Sequence, residues 1–229
     1  AFAMAFLFAG HPELLIVARR GPALAIGYGE GEMYVGNDAL ALAPLSRRIA
    51  YLEDGDWAVL RADGVQVFDA EDRPVQRAVK ETGFAGALTG KGNHRHFMEK
   101  ELHEHPGTIG DTLRQYVAPA TRTVALPALP FDPRSVPRIT LSACGSAFLA
   151  ALTGRYWIEA LARIPCDADI ASELRYREPP LPEGGAAILV SQSGETADTM
   201  AVLSLLKAAG QRTLSVVNVP ESSLARGAD

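Results

Sequence analysis

One pattern, present twice near the C-terminal end, constrains the fold more than any other: an apolar run, a loop of small and hydroxyl residues, then a helical stretch. "RITLSA" (138–143) passes through "CG" into "SAFLAALTGRYWIEALA" (146–162). "AAILVS" (186–191) passes through "QSGET" into "ADTMAVLSLLKAAG" (197–210), with Gly210 as the stop signal. "PCDADIAS" (165–172) and "RTLSVVNV" (212–219) supply further strands. Strands that are apolar throughout need cover on both faces, and strands that alternate with helices run parallel. The expected fold class here is therefore α/β, a doubly wound parallel sheet.

Residues 1–75 read differently. "LLIVARR" (14–20), "MYVG" (33–36), "RRIAYL" (47–52) and "WAVLRADG" (57–64) are short strands, separated by the turn signals "GYGEGE", "EDGD" and "AEDRP". This spacing predicts an antiparallel, β-rich unit. "DALALAPL" (38–45) predicts a short helix begun by Asp38 and stopped near Pro44. The opening "AFAMAFLFAG" is too short to span a bilayer and has no basic residues before it, so a buried strand is expected. Residues 76–106 read as a linker and an entry helix ending before Pro106, 107–117 as a further helix, and 118–137 as irregular. The resulting division is 1–75, 76–106 and 107–229.

With 48% apolar and 21% charged residues and a net charge of −5, the chain has the composition of a globular protein. The charge and the lack of a long basic run exclude a general nucleic-acid binder, and no membrane segment is expected. Cys144 and Cys166 form neither a metal-ligand nor a redox spacing, so packing roles and a cytoplasmic setting are expected. His94, His96, His103 and His105 cluster, but helical spacing puts His103 and His105 on different faces and no cysteine is near. The expectation is a solvated helix and no metal.

Both small-residue loops fall at carboxyl ends of parallel strands, where such sheets bind ligands. A helix start offers free N–H groups and the positive end of the macrodipole. Gly145 and Gly194 let the backbone approach a ligand closely; Ser146, Ser191, Ser193 and Thr196 add hydroxyls, and Gln192 an amide. A phosphate fits this donor set best. Helix capping by the same hydroxyls is the competing reading. There is no Walker or dinucleotide fingerprint. Glu195, beside the anion, is expected to point away and cap the helix; Glu173 and Arg175 are expected to have a structural or subunit-interface role, and Cys144 is not expected to be a nucleophile.

"SQSGETADT" (191–199) with the earlier "ACGSA" (143–147) resembles the sugar-isomerase (SIS) domain and, more narrowly, the glutamine–fructose-6-phosphate aminotransferase family. "RHFMEKELHEHP" (95–106), "GRYWIEALARIPCDADIASELRYR" (154–177), "NVPESSLAR" (218–226) and "GEGEMYVGNDALALAPLSRRIAYLEDGDWAVL" (29–60) extend the similarity over nearly the whole chain. The resemblance implies that 1–75 is the C-terminal part of an N-terminal-nucleophile glutaminase domain, and that 107–229 is a first SIS domain, truncated at its C-terminal end. It implies conversion of fructose 6-phosphate to glucosamine 6-phosphate with ammonia from glutamine, without a cofactor, by an enzyme that is usually a homodimer or larger.

It also assigns phosphate binding to Ser191, Gln192, Ser193 and Thr196, and places no catalytic residue in this chain, so that the chain alone is expected to be inactive. The family's first loop usually reads Cys-Gly-Thr-Ser. Here Cys144, Gly145, Ser146 and Ala147 occupy it, so Ser146 keeps one hydroxyl and Ala147 loses the other. A phosphosugar-binding module without catalysis is the alternative, but it has no use for residues 1–75.

Overall fold

A computed structural model describes residues 1–81, 90–220 and 222–229. The glycine-containing part of the linker, 82–89, lies outside the described residues, as does Glu221.

The N-terminal unit is two antiparallel sheets packed face to face. The first runs in the order β1 (Phe2–Phe8), β2 (His11–Arg20), β6 (Trp57–Arg61), β7 (Gly64–Phe68), β8 (Pro74–Val75). The second runs β4 (Met33–Gly36), β3 (Ala25–Tyr28), β5 (Arg48–Tyr51), β9 (Val79–Glu81). Val17, Ala58, Leu60 and Val67 of the first meet Ile26 of the second in one buried cluster. Alternation in β6 carries this, because Ala58 and Leu60 are buried between less buried neighbours. Helix α1 (Ala39–Leu42) follows Asp38, whose carboxylate accepts the Ala41 N–H, as its sequence predicts.

Three expectations fail here. The opening segment is a strand, but all seven residues of β1 are exposed. Among the described residues it is an edge strand paired only to β2, and Phe2, Met4, Phe6 and Phe8, which point to one side, remain about two-fifths exposed. Nor does a helix end before Pro106: α2 runs unbroken over Phe97–Tyr116 with Pro106 inside it. Proline removes the bond to the Leu102 carbonyl, but no described residue of α2 is buried, so water can reach the freed carbonyl. After α2, β10 (Val117–Ala118) and β11 (Thr123–Val124) form a two-stranded ribbon in the segment expected to be irregular.

The C-terminal unit is the expected parallel sheet, in the order β13 (Cys166–Ile170), β12 (Ile139–Ala143), β14 (Ala186–Ser191), β15 (Arg212–Val217). Strand β12 is buried over all five residues. Helix α3 (Gly145–Trp157) covers one face and continues as a π-turn to Ala162; α4 (Ala171–Arg177), α5 (Ala197–Ala208) and α6 (Ser223–Gly227) cover the other. Strand β14 serves both cores: Ala186 and Ile188 face α3, while Ala187 and Leu189 face α5. Leu189 is fully buried. Replacing it with alanine should cost about 2–5 kcal/mol in denaturant unfolding, against under about 0.5 kcal/mol for Leu161→Ala on the exposed π-turn.

Candidate phosphate site

Strand order fixes where a ligand can sit. From β12 the chain crosses to β13 on one side, then returns past β12 to β14 and moves on to β15. The connections therefore part between β12 and β14, the topological switch point of the sheet. In the parallel register Ala143 lies opposite Val190, so Cys144 and Ser191 leave neighbouring strands at the same level, about 5 Å apart. Both candidate loops begin at this crevice.

The second loop is held by its own hydroxyls. Ser191 Oγ accepts the Gly194 N–H at 3.0 Å and lies 3.4 Å from Thr196 Oγ1, and Ser193 Oγ accepts the Glu195 N–H at 3.2 Å. A hydroxyl that accepts from the backbone keeps its hydrogen to donate elsewhere. Gly194 has φ +67°, and a side chain there would bring its Cβ within 2.4 Å of the Ser222 Cβ. Gln192 is exposed, Ser193 half-buried and Ser191 buried.

Capping, the competing reading of these hydroxyls, does not describe either helix. Thr196 is the N-cap of α5 and Cys144 that of α3, and neither makes a side-chain cap bond. Asp38 and Ser222 do cap α1 and α6 through their side chains, whereas α2 and α4, like α3 and α5, have no side-chain cap bond. The first-turn N–H groups of both large helices thus remain available to an anion. The Asp198 carboxylate in the first turn of α5 is paired with Arg175 at 2.6 Å, which gives Arg175 its expected structural role.

Gly145 and Ser146 are exposed at the start of α3, with Gly145 at φ +57°. Ala147 packs its methyl against the α3-side core. Position 147 thus contributes to packing here and gives the loop no hydroxyl.

Glu195 points away from the crevice, as expected, but the helix it serves is α6. Its Oε1 accepts the Ser223 N–H at 2.7 Å. Burial pushes its carboxyl above the ordinary range, opposed by the Ser223 N–H and by the nearby Arg226 guanidinium. Arg226 in turn lies 4.0 Å over the ring of Tyr51, whose hydroxyl accepts the Ala39 N–H at 3.1 Å. The loop is therefore braced by α6 and, through it, by the β-rich unit. The sequence assigns no role to Ser222, Ser223, Arg226 or Tyr51; "NVPESSLAR" (218–226) signals the first three, and the stretch 29–60 signals Tyr51, only as part of a resemblance. A cavity of roughly 540 Å³ lies beside this brace, bordered by Arg19, Asp54, Glu195 and Ser204, on the flank of α5 and not over the two loops.

Cys166 is buried and its thiol is pushed up to about 11, first by burial and then by the carboxylates of Glu159 and Asp167. Cys144 is half-buried at the mouth of the first loop. No helix among the described residues is long and apolar enough to cross a membrane.

Residues 134–229 match the SIS domain family. The whole chain is 55% identical over 229 residues to the glutamine–fructose-6-phosphate aminotransferase (isomerizing) of Gluconobacter oxydans, of which it spans 38%. It is 52% identical over the same length to the enzyme so named from Zymomonas mobilis, again spanning 38% of it. The C-terminal domain of glucosamine-fructose-6-phosphate aminotransferase from Francisella tularensis superimposes with a TM-score of 0.53 at 35% identity, covering 62% of this chain and 40% of that one. Residues 134–229 thus match the SIS domain family, and the chain is similar along its length to these aminotransferases while spanning well under half of each.

Two outcomes follow from the geometry. Gly194→Ala should distort the loop at a cost of about 1–3 kcal/mol, read as a lowered melting temperature and loss of phosphate-ester binding. In the native protein at pH 8, iodoacetamide should label Cys144 while leaving Cys166 unmodified, as peptide mass spectrometry would report.

Proposed function

We propose that this chain is a segment of a glutamine-dependent aminotransferase that converts fructose 6-phosphate to glucosamine 6-phosphate, and that it supplies the grip on the sugar phosphate. In this reading residues 1–75 are the C-terminal part of the glutaminase domain, 76–106 the linker and entry helix, and 107–229 the first SIS domain. The observation that carries the reading is the 55% identity over the entire chain, β-rich unit included, because a stand-alone phosphosugar binder has no use for that unit.

The phosphate sits in the crevice between β12 and β14. Ser191, Ser193 and Thr196 donate hydroxyl hydrogens, Gln192 its amide, and Gly145 and Ser146 close the other side. Each charge-assisted bond contributes about 1.5–3 kcal/mol. Four or five of them, set against the cost of association, hold a phosphate ester without a lysine. This leaves the sugar's reactive carbons pointing away from the loops, toward groups that the rest of the enzyme provides. No residue of this chain is assigned a catalytic role, and the reaction proposed needs no cofactor.

Glutamine is the second substrate of the whole enzyme, and the cytoplasm is the setting its metabolites imply. A homodimer is favoured by the apolar surface along α3 and the π-turn, where Leu149, Tyr156, Trp157 and Leu161 are all more than 60% exposed.

The test is kinetic. The full-length enzyme carrying this chain should form glucosamine 6-phosphate and glutamate from fructose 6-phosphate and glutamine. Ser193→Ala and Thr196→Ala should each raise KM for fructose 6-phosphate about tenfold or more, with KM for glutamine unchanged. Absence of product, or an unchanged KM for the sugar phosphate, would contradict the reading.

A further inference from the structure

We propose that His94, Glu99 and His103 form a binding site for a zinc-class divalent cation at the start of α2. The sequence argues against a metal here, because His103 and His105 fall on different helix faces and no cysteine is near. The structure brings a different pair together. His94 precedes the helix and turns back, so that its ring stacks on that of His103 with centroids 5.2 Å apart and planes 24° from parallel. Glu99 lies four residues before His103, hence on the same face of the helix. One ligand atom from each of the three lies within 4.8 Å of the others.

Bonds of about 2.0–2.2 Å to a tetrahedral cation place ligand atoms roughly 3.3 Å apart. Closing the site takes side-chain rotation of about an ångström, which the exposed Glu99 and His103 can supply without moving the backbone. The carboxylate is already oriented: Glu99 Oε2 accepts the Arg95 N–H at 3.1 Å, and Oε1 is left to face a cation. Two imidazoles and one carboxylate suit zinc, copper or nickel; calcium and magnesium prefer all-oxygen shells. Beside the triad, a cleft lined by His96, Met98, Glu99, Leu102 and His103 leaves room for water or the His96 imidazole as a fourth ligand.

The location gives such a site work to do. Helix α2 has no buried described residue, a proline in its interior and no side-chain cap at His96. A cation would tie the preceding loop to the second turn and so hold the helix start, where helices fray. The proposal is independent of the phosphate site and stands or falls separately from it.

The experiment uses the full-length enzyme carrying this chain, untagged, stripped with chelator and titrated with zinc chloride by calorimetry. One equivalent should bind with a Kd of about 10 µM or tighter and raise the melting temperature. His94→Gln, Glu99→Gln and His103→Gln should each weaken binding about tenfold or more while leaving the metal-free circular dichroism unchanged; His105→Gln should bind as the parent does. Absence of saturable binding below about 100 µM would overturn the site, as would undiminished affinity in the His94 and His103 variants.

Discussion

The pairing of β12 with β14 is the constraint on which the rest depends. These strands are adjacent in the sheet but not in sequence, since β13 lies between them along the chain and outside them in space. That inversion sends one connection to each side and opens a crevice at their carboxyl ends. Because Ala143 and Val190 are in register, two helix starts face the same small volume. Neither α3 nor α5 is capped by a side chain. Two positive helix ends, neither closed by a side-chain cap, lie at neighbouring strand ends, a setting that favours an anion.

The loops refine this coarse preference, and elements outside the strand–loop–helix unit hold them. Gly194 has no room for a side chain because Ser222 lies against it, and the Gly194 carbonyl accepts the Leu224 N–H at 3.0 Å. Glu195 then fastens the loop to the first residue of α6, and Arg226 carries the contact to Tyr51 on β5. The carboxylate that would repel a phosphate is thereby spent on an N–H and held away from the crevice. A glutamate in a loop proposed to bind an anion is physically reasonable once its partner is known. It also means that the shape of the loop is set jointly by the parallel sheet and the β-rich unit.

Much of this was legible in the sequence, for identifiable reasons. The parallel strands are buried on both faces, so "AAILV" could be nothing else, and Gly210 at φ +69° ends α5 as its position suggested. Asp38 begins α1 because a carboxylate before an apolar run has one obvious use. What could not be read is what depends on neighbours far along the chain. Apolar β1 reads as buried whether or not another layer covers it. Pro106 stops a buried helix more firmly than an exposed one. Strand β3, "AIGY", hides behind Gly27, where an added Cβ would lie 3.3 Å from the Ser46 Cβ and 3.4 Å from the Tyr34 Cβ. The hydroxyls of "SQSGET" read equally well as caps or as ligand donors from sequence; in the structure Thr196 makes no side-chain cap bond, and Ser191 and Ser193 accept N–H groups of their own loop.

The central claim is that one anion is held by both loops at once, and backbone amide shifts test it most directly. Glucosamine 6-phosphate would be titrated into the ¹⁵N-labelled chain, with glucosamine as the control. The account predicts saturable shifts at Gly145, Ser146, Ser193 and the first-turn amides Ala197 and Asp198, with none from the uncharged sugar. Shifts confined to one loop, shifts of equal size with glucosamine, or none in either loop would contradict it.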